Sequence, residues 1–348
     1  MRLILTLLLA LIATACSSSS PAESIDFNDG WRFTLGEMDS EYYDANTNDS
    51  SWQSIRVPHD WSIELGYTQE NTAGSNGFLP GGIGWYRNTF EVPKQMRGKS
   101  IFVRFEGVYN NSHVWINGHE LGFYPFGYLD FEYDLTPYLN ESGENIITVR
   151  VDRRAYADSR WYVGAGIYRP VHLISRGEVY IPTHGQFITT PKITEESATI
   201  NVRTEFTSNS DIGKTYDIVY QIYNSESVVC YKSQSVDVPI GEVTESCIDI
   251  TIPTPKLWSP TSPNRYTLCT YISVGDELIE KREESFGIRT LEFNPAKGLL
   301  INGEYTKIKG VNIHHDLGCV GVALNNDVLR RRLRKMQELG VNAVRMAH

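Results

Sequence analysis

IFVRFEGVYNNSHVWINGHELG, residues 101–122, decides the architecture of the front of the chain. Two short runs in it, IFVRFEGV and SHVWI, alternate apolar with polar positions, the period of a half-buried strand. Asn117-Gly118 lies between SHVWI and the next extended run. That pair predicts a type I′ hairpin, because both central positions of such a turn need positive φ. Working outward, NIITVRV (145–151) and PVHLI (170–174) repeat the pattern, and turn residues separate such segments from Ile25 to about Arg176. The reading is an all-β sandwich.

From Val179 to about Thr290 aromatics thin out and Thr, Ser and Val increase, with strands such as ATINVRTEF, TYDIVYQIY and YTLCTYI. About seven short strands at regular spacing predict an immunoglobulin-like sandwich. KLWSPTSPN (256–264), with two prolines, reads as a bend before the last strands. After Phe286-Gly287-Ile288-Arg289 the pattern changes again. GLLINGEYTKIKGVNI (298–313) is a second Asn-Gly hairpin, at Asn302-Gly303, running into an apolar strand. Asn325-Asn326-Asp327 is placed to cap a helix carrying Leu329, Leu333, Met336 and Leu339 and closed by Gly340, and VNAVRMAH follows as a strand. Strand, helix, strand is a βαβ unit.

The N-terminus reads as an export signal: Arg2, an apolar run from Leu3 to Ala13, then Thr14-Ala15-Cys16 and four serines. The run is shorter than the ~20 apolar residues of a membrane span. Cys16 after small residues resembles a bacterial lipoprotein cleavage site, which implies an exported chain, periplasmic or outer-membrane-anchored, with the membrane met through a lipid only; simple secretion is the alternative. Export implies an oxidising compartment, so Cys230, Cys247 and Cys269 could include one disulfide, with at least one thiol left free; Cys319 carries no motif. The 348 residues predict two to three domains, and a net charge of -10 with pI near 5.4 argues against nucleic acid as a partner. The basic run at Arg330 to Lys335 falls on an amphipathic pattern and reads as a solvated helix face.

Eight strings in order, VPHDW (57–61), GWYR (84–87), VWINGHELG (114–122), GIYRPV (166–171), LWSP (257–260), FGIR (286–289), KGVNIHHD (309–316) and NAVRMAH (342–348), resemble the family-2 glycoside hydrolases of β-galactosidase type. The resemblance implies a mostly β fold: signal at 1–20, jelly-roll sugar-binding domain at 24–176, immunoglobulin-like sandwich at 177–290, and at 291–348 the start of a (β/α)8 barrel. A complete barrel takes about 250 residues. It also implies retaining hydrolysis of terminal β-linked sugars, for which two carboxyls must stand about 5 Å apart. The family's two glutamates would lie beyond His348, so no catalytic residue is expected within this sequence. Glu304, beside a hairpin turn, and Glu338, in a helix's last turn, are no substitutes.

By the same resemblance His348 would contact the sugar's hydroxyls and Arg345 would hold the nucleophile ionised. Asp158 and Arg160, in ADSRWYVGAGIYR, fall where the family sends a polar loop with a sugar-gripping acid to the barrel mouth. The usual acid position falls on Arg160, which leaves Asp158 as a displaced acid or the acid missing. His314, His315 and Asp316 invite a metal, but neighbours on a strand point to opposite faces, and a hydrogen-bond network shaping the sugar pocket is the better reading. Trp161 could stack on a sugar or belong to the core. LPGGIGWYR (79–87) lacks the context of a phosphate loop and reads as a turn-rich loop near the site. No cofactor is required by these residues, and a divalent or monovalent cation in the remainder of the barrel stays open. The expected partner is a β-linked oligosaccharide or glycoside, β-galactoside first and a β-glucuronide or another β-glycoside as the alternative, with a homo-oligomer left open. The competing reading is a non-catalytic lipoprotein that binds β-linked glycans through the jelly roll.

Overall fold

A computed structural model describes residues 22–37, 42–70, 72–154, 159–225 and 227–347. The signal with Cys16, Asp158 and His348 therefore lie outside the described residues. The described residues divide into two compact units, those of 24–175 with 309–347, and 22–23 with those of 176–308.

In the first unit two antiparallel sheets enclose the core. The larger runs, in spatial order, Gln53–Ile55, Trp31–Leu35, Gly82–Glu91, Glu144–Arg153, Ser112–Ile116 and His119–Tyr124; the smaller runs Glu23–Asp26, Val171–Arg176, Ser100–Phe105 and Phe131–Asp134. Alternation does what the sequence predicts: Ile147, Val149 and Val151 point into a core shared with Trp31, Phe33, Tyr86, Phe105 and Ile116. Each such side chain contributes on the order of 1.5–3 kcal/mol on burial. Asn117 and Gly118 have φ of 50° and 83°, as the hairpin requires.

The opposite face of the larger sheet carries a second cluster. Trp85 and Trp115 stack with ring centroids 5.9 Å apart, and Tyr42 and Tyr43 pack over them. Arg87, 1% exposed, fixes this covering loop: its Nη1 donates to the carbonyls of Tyr42 (2.8 Å) and Asp44 (2.9 Å), its Nη2 to that of Ala45 (3.3 Å), and its Nε to Asp49 (3.2 Å). Burial lowers the guanidinium's pKa, and Asp49 opposes that shift.

LPGGIGWYR is not a turn-rich loop, because the strand Gly82–Glu91 takes in most of it. Its glycines answer crowding: a Cβ on Gly84 would lie 2.5 Å from the Trp61 ring and 2.9 Å from Phe33, and one on Gly81 would lie 1.8 Å from the Arg153 carbonyl.

The second unit is a sandwich. Val243–Pro253 and Ser197–Ser208 pair along most of their length, with Gln186–Ile193 and Val179–Tyr180 on the other side of Ser197–Ser208; the facing sheet runs Ser227–Val238, Lys214–Asn224, Tyr266–Val274, Glu277–Phe286. Tyr216, Tyr220, Phe206, Ile250 and Leu268 lie between the sheets. The four described cysteines are free thiols, so the disulfide that Cys230, Cys247 and Cys269 could have included is not formed. The strand Lys214–Asn224 separates Cys230 from Cys269, and Cys247 belongs to the other sheet. Burial pushes the Cys230 thiol up to about 11.

Glu280, 4% exposed, accepts from the Ile181 amide at 3.3 Å, and burial outweighs the nearby Arg176 and Arg282 to push its carboxyl up to about 7. Between the ordinary value of 4.5 and 7 the folded unit holds a proton that the unfolded chain has released. Stability therefore falls as pH rises through this window, by roughly 3 kcal/mol. A Glu280→Gln chain, melted from pH 4.5 to 8, should lose most of that slope; an unaltered slope would assign it elsewhere.

The hairpin Gly298–Ile301 to Glu304–Tyr305 turns at Asn302-Gly303, with φ of 54° and 78°. Asn302 donates to the Trp258 carbonyl at 3.0 Å and accepts from the Thr290 amide, which ties the hairpin to the sandwich. Gly310–Ile313 then pairs in parallel with Ala343–Met346, and the helix Asn326–Glu338 lies between them in sequence. The Asn325 side chain accepts from the amides of Asp327 and Val328, and Gly340, φ 81°, ends the helix. The predicted βαβ start of a barrel is present.

Candidate functional site

The first unit gathers three distant segments around one carboxylate. Asp60 opens the short turn Trp61–Glu64, and its Oδ1 accepts from the amides of Ser62 (3.1 Å) and Ala165 (3.0 Å). Its Oδ2 accepts from the Tyr162 hydroxyl (2.6 Å) and the Val322 amide (3.0 Å). The residue is 2% exposed, and burial raises its pKa against the pull of these four donors. Two glycines let the backbone close around it. A Cβ on Gly164 (φ +68°) would sit 2.8 Å from Oδ2 and 2.1 Å from Val322, and one on Gly321 (φ +60°) would sit 2.2 Å from Oδ2. Asp60 thus fastens the stretch after the first barrel strand to the jelly-roll loop at 159–165.

Neighbouring contacts extend the junction. The amides of His59 and Trp61 donate to the carbonyls of Ile167 and Ala165, and the Leu324 amide donates to the Tyr168 carbonyl. His59 shares a 2.9 Å hydrogen bond with the Tyr86 hydroxyl, and burial lowers its pKa below the usual imidazole value. His315 donates from Nε2 to the Val163 carbonyl at 3.4 Å, with its ring 5.7 Å from those of both Tyr128 and Tyr168. Burial lowers its pKa as well, which favours the uncharged imidazole.

Trp161 is half-buried beside this junction. Its Nε1 donates to the Tyr128 hydroxyl at 3.1 Å, and its ring stands edge-on to His314 at 6.4 Å. It is neither a core residue nor an isolated surface ring. A crevice behind the loop, lined by Ser62, Asn76, Arg153 and Tyr162 among others, measures about 10 Å³. That is room for one water and none for a sugar ring.

Of the residues singled out in the sequence, Arg160 is exposed on the 159–165 loop, and Arg345 is exposed on Ala343–Met346, opposite Asn312 in the register. His314 directly follows Ile313, whose carbonyl accepts from the Ala347 amide. No hydrogen bond among the described residues joins Arg160 to Arg345. His314, His315 and Asp316 form no group able to hold a metal among the described residues. His315 faces the jelly-roll loop, and the Asp316 carbonyl accepts from Arg332 at 2.9 Å. Asp60 is the residue the sequence reading missed. Its only local signal was the string VPHDW, since nothing in the spacing links it to Val322.

Comparison with known proteins bears on the whole chain. Residues 25–177 match the sugar binding domain of glycosyl hydrolases family 2, residues 179–289 a second domain of that family, and residues 295–348 its TIM barrel domain. Beta-galactosidase BoGH2A of Bacteroides ovatus is 40% identical over 339 residues, covering 96% of this chain and 40% of that protein. A beta-glucuronidase of Formosa agariphila is 30% identical over 363 residues, covering 96% and 37%. The crystal structure of a beta-glycosidase from Bacteroides vulgatus superposes with a TM-score of 0.88 at 40% identity, over 94% of this chain and 41% of that one. The chain therefore spans about 40% of the length of such relatives. Sequence, fold and these matches agree that the chain belongs to glycosyl hydrolases family 2.

Proposed function

We propose that this chain serves the retaining hydrolysis of terminal β-galactosides, supplying the jelly-roll wall and the first strands of a barrel whose two catalytic glutamates come from outside these 348 residues. One observation carries the reading. The helix between the two parallel strands leaves its apolar side uncovered: Leu333 and Leu339 are exposed, Leu339 at 83%, along a groove of about 330 Å³ that Val328 and Met336 also line. An uncovered apolar face of this kind supports the reading that further barrel elements pack against the helix. In this proposal neither Glu304 nor Glu338 is a catalytic carboxylate. Glu304 stands in the hairpin of the second unit, and Glu338 pairs with Lys335 at 2.7 Å on the helix.

The galactoside preference rests on the 40% identity to a protein named a beta-galactosidase; the relative named a beta-glucuronidase supports the second substrate. The purified 348-residue chain should hydrolyse neither a chromogenic β-galactoside nor a β-glucuronide, whereas the product extended through any in-frame downstream sequence should hydrolyse the galactoside faster. Turnover by the 348-residue chain would refute the division of labour, and a glucuronide preference in the extended product would move the substrate. The site of action is proposed to be outside the cytoplasm, with Cys16 as lipid anchor. A Cys16→Ser chain should leave the membrane fraction, and its retention there would remove the anchor.

A further inference from the structure

The three-stranded sheet ahead of the first barrel strand leaves large apolar side chains in water. In its strand Leu291–Asn294, Leu291 is 49% exposed and Phe293 78%, and the register sets them opposite Ile301 and Leu299. Residues paired directly across an antiparallel ladder share a face, so these four line one side of the sheet, with Glu304, opposite Ile301, at its margin. Tyr305, 64% exposed, and Ile308, 58%, carry the apolar character of the segment on toward Gly310–Ile313. The sheet is not a loose flap. Asn302 binds it to Trp258 and Thr290, and a Cβ on Gly298 would lie 3.1 Å from the Tyr305 ring, which covers the other side. Apolar residues scattered over a surface need no explanation, whereas neighbours on one stiff sheet face mark a surface that something covers.

Chain order indicates the occupant. Residues 306–309 alone separate the hairpin from Gly310–Ile313, a link of at most about 18 Å. The link enters that strand at its N-terminal end, and His314 follows the opposite end. In a (β/α)8 barrel all strands start at one rim, while the active site occupies the other. The hairpin is therefore tethered at the rim of strand starts. The match to the family's TIM barrel domain begins at residue 295, so it takes in this hairpin. Only two barrel strands are present among the described residues, and the chain covers 40% of the length of its Bacteroides ovatus relative.

We propose that the face bearing Leu291 and Phe293 docks onto the strand-start rim of the completed barrel and closes it against water, the occupant being the barrel segment encoded beyond His348. The docking rests on the glycosidase reading for the existence of that segment. It makes the hairpin a floor, which stabilises the barrel and leaves sugar recognition to the opposite end. A second copy of this chain is the competing occupant.

Hydroxyl-radical footprinting, read by mass spectrometry, compares the 348-residue chain with the product extended through the downstream sequence. Phe293 should oxidise about tenfold more slowly in the extended product, the contrast between a ring 78% exposed and a buried one. Phe187, 57% exposed in the same unit, should react alike in both. Phe293→Ser should leave the melting curve of the 348-residue chain in place and lower the melting temperature of the extended product by roughly 3 °C. Equal oxidation of Phe293 in the two products overturns the docking, as does an extended Phe293→Ser product that melts with its parent. Protection already present in the 348-residue chain and lost on dilution identifies a second copy as the occupant, and overturns it too. An extended product that protects Phe293 yet hydrolyses neither glycoside refutes the glycosidase reading alone and leaves the docking in place.

Discussion

Asp60→Ala is expected to lower the stability of the first unit by about 4 kcal/mol, because it strips the partner from several buried donors at once. The amides of Ser62, Ala165 and Val322 and the Tyr162 hydroxyl converge on this one carboxylate. Gly164 and Gly321 hold the backbone too close for the space to be refilled by a shift. Asp60→Asn keeps the volume but turns a donor toward one pair of these groups. The Tyr162 hydroxyl can rotate to accept, whereas a backbone amide cannot, so about half the loss should remain. Urea denaturation read by tryptophan fluorescence isolates the effect, since six of the seven tryptophans, all but Trp258, lie in this unit. An unshifted midpoint for Asp60→Ala would remove the carboxylate from its place as the fastening of the junction.

Arg87→Met should cost about 3 kcal/mol, for a different reason: it leaves the carbonyls of Tyr42, Asp44 and Ala45 without their donor beneath a covered sheet face. Met fills the aliphatic space and so separates the lost hydrogen bonds from lost packing. Arg87→Lys keeps the charge, but one ammonium cannot reach three carbonyls and Asp49 as the planar fork does, so it should recover only part. Limited proteolysis gives an independent check. In Arg87→Met the 42–52 segment should become cleavable, with a red shift of the fluorescence as Tyr42 and Tyr43 lift from Trp85 and Trp115. A segment as resistant as the wild type would mean that the aromatic stacking alone keeps it down.

The strands and turns were legible because their signals are local. Alternation in IFVRF and NIITVRV and positive φ at Asn117-Gly118 and Asn302-Gly303 are written within a few residues, as is the Asn325 cap. LPGGIGWYR misled because glycine has two uses, turning a chain and admitting a neighbour, and only the packing of Trp61 and Phe33 against Gly84 shows which one applies. The cysteines misled in a related way, since their strands follow one another in sequence but alternate or separate in the sheets. The site was legible at the level of its strings and not its bonds. Asp60 meets a residue 262 positions away, a distance that no periodicity encodes.

The pairing of Glu23–Asp26 with Val171–Arg176 sets a schedule for the newborn chain. The first strand emerges early and cannot find its neighbour until roughly 145 more residues have been made, a wait on the order of ten seconds at ordinary rates of synthesis. Asp60 waits longer still for Val322. Through that interval the first strand has an open edge, and until residues 162–165 are made the 57–64 turn carries a carboxylate with three of its four donors missing. The jelly roll closes only once Val171–Arg176 has been made, and the Asp60 junction only once Val322 has.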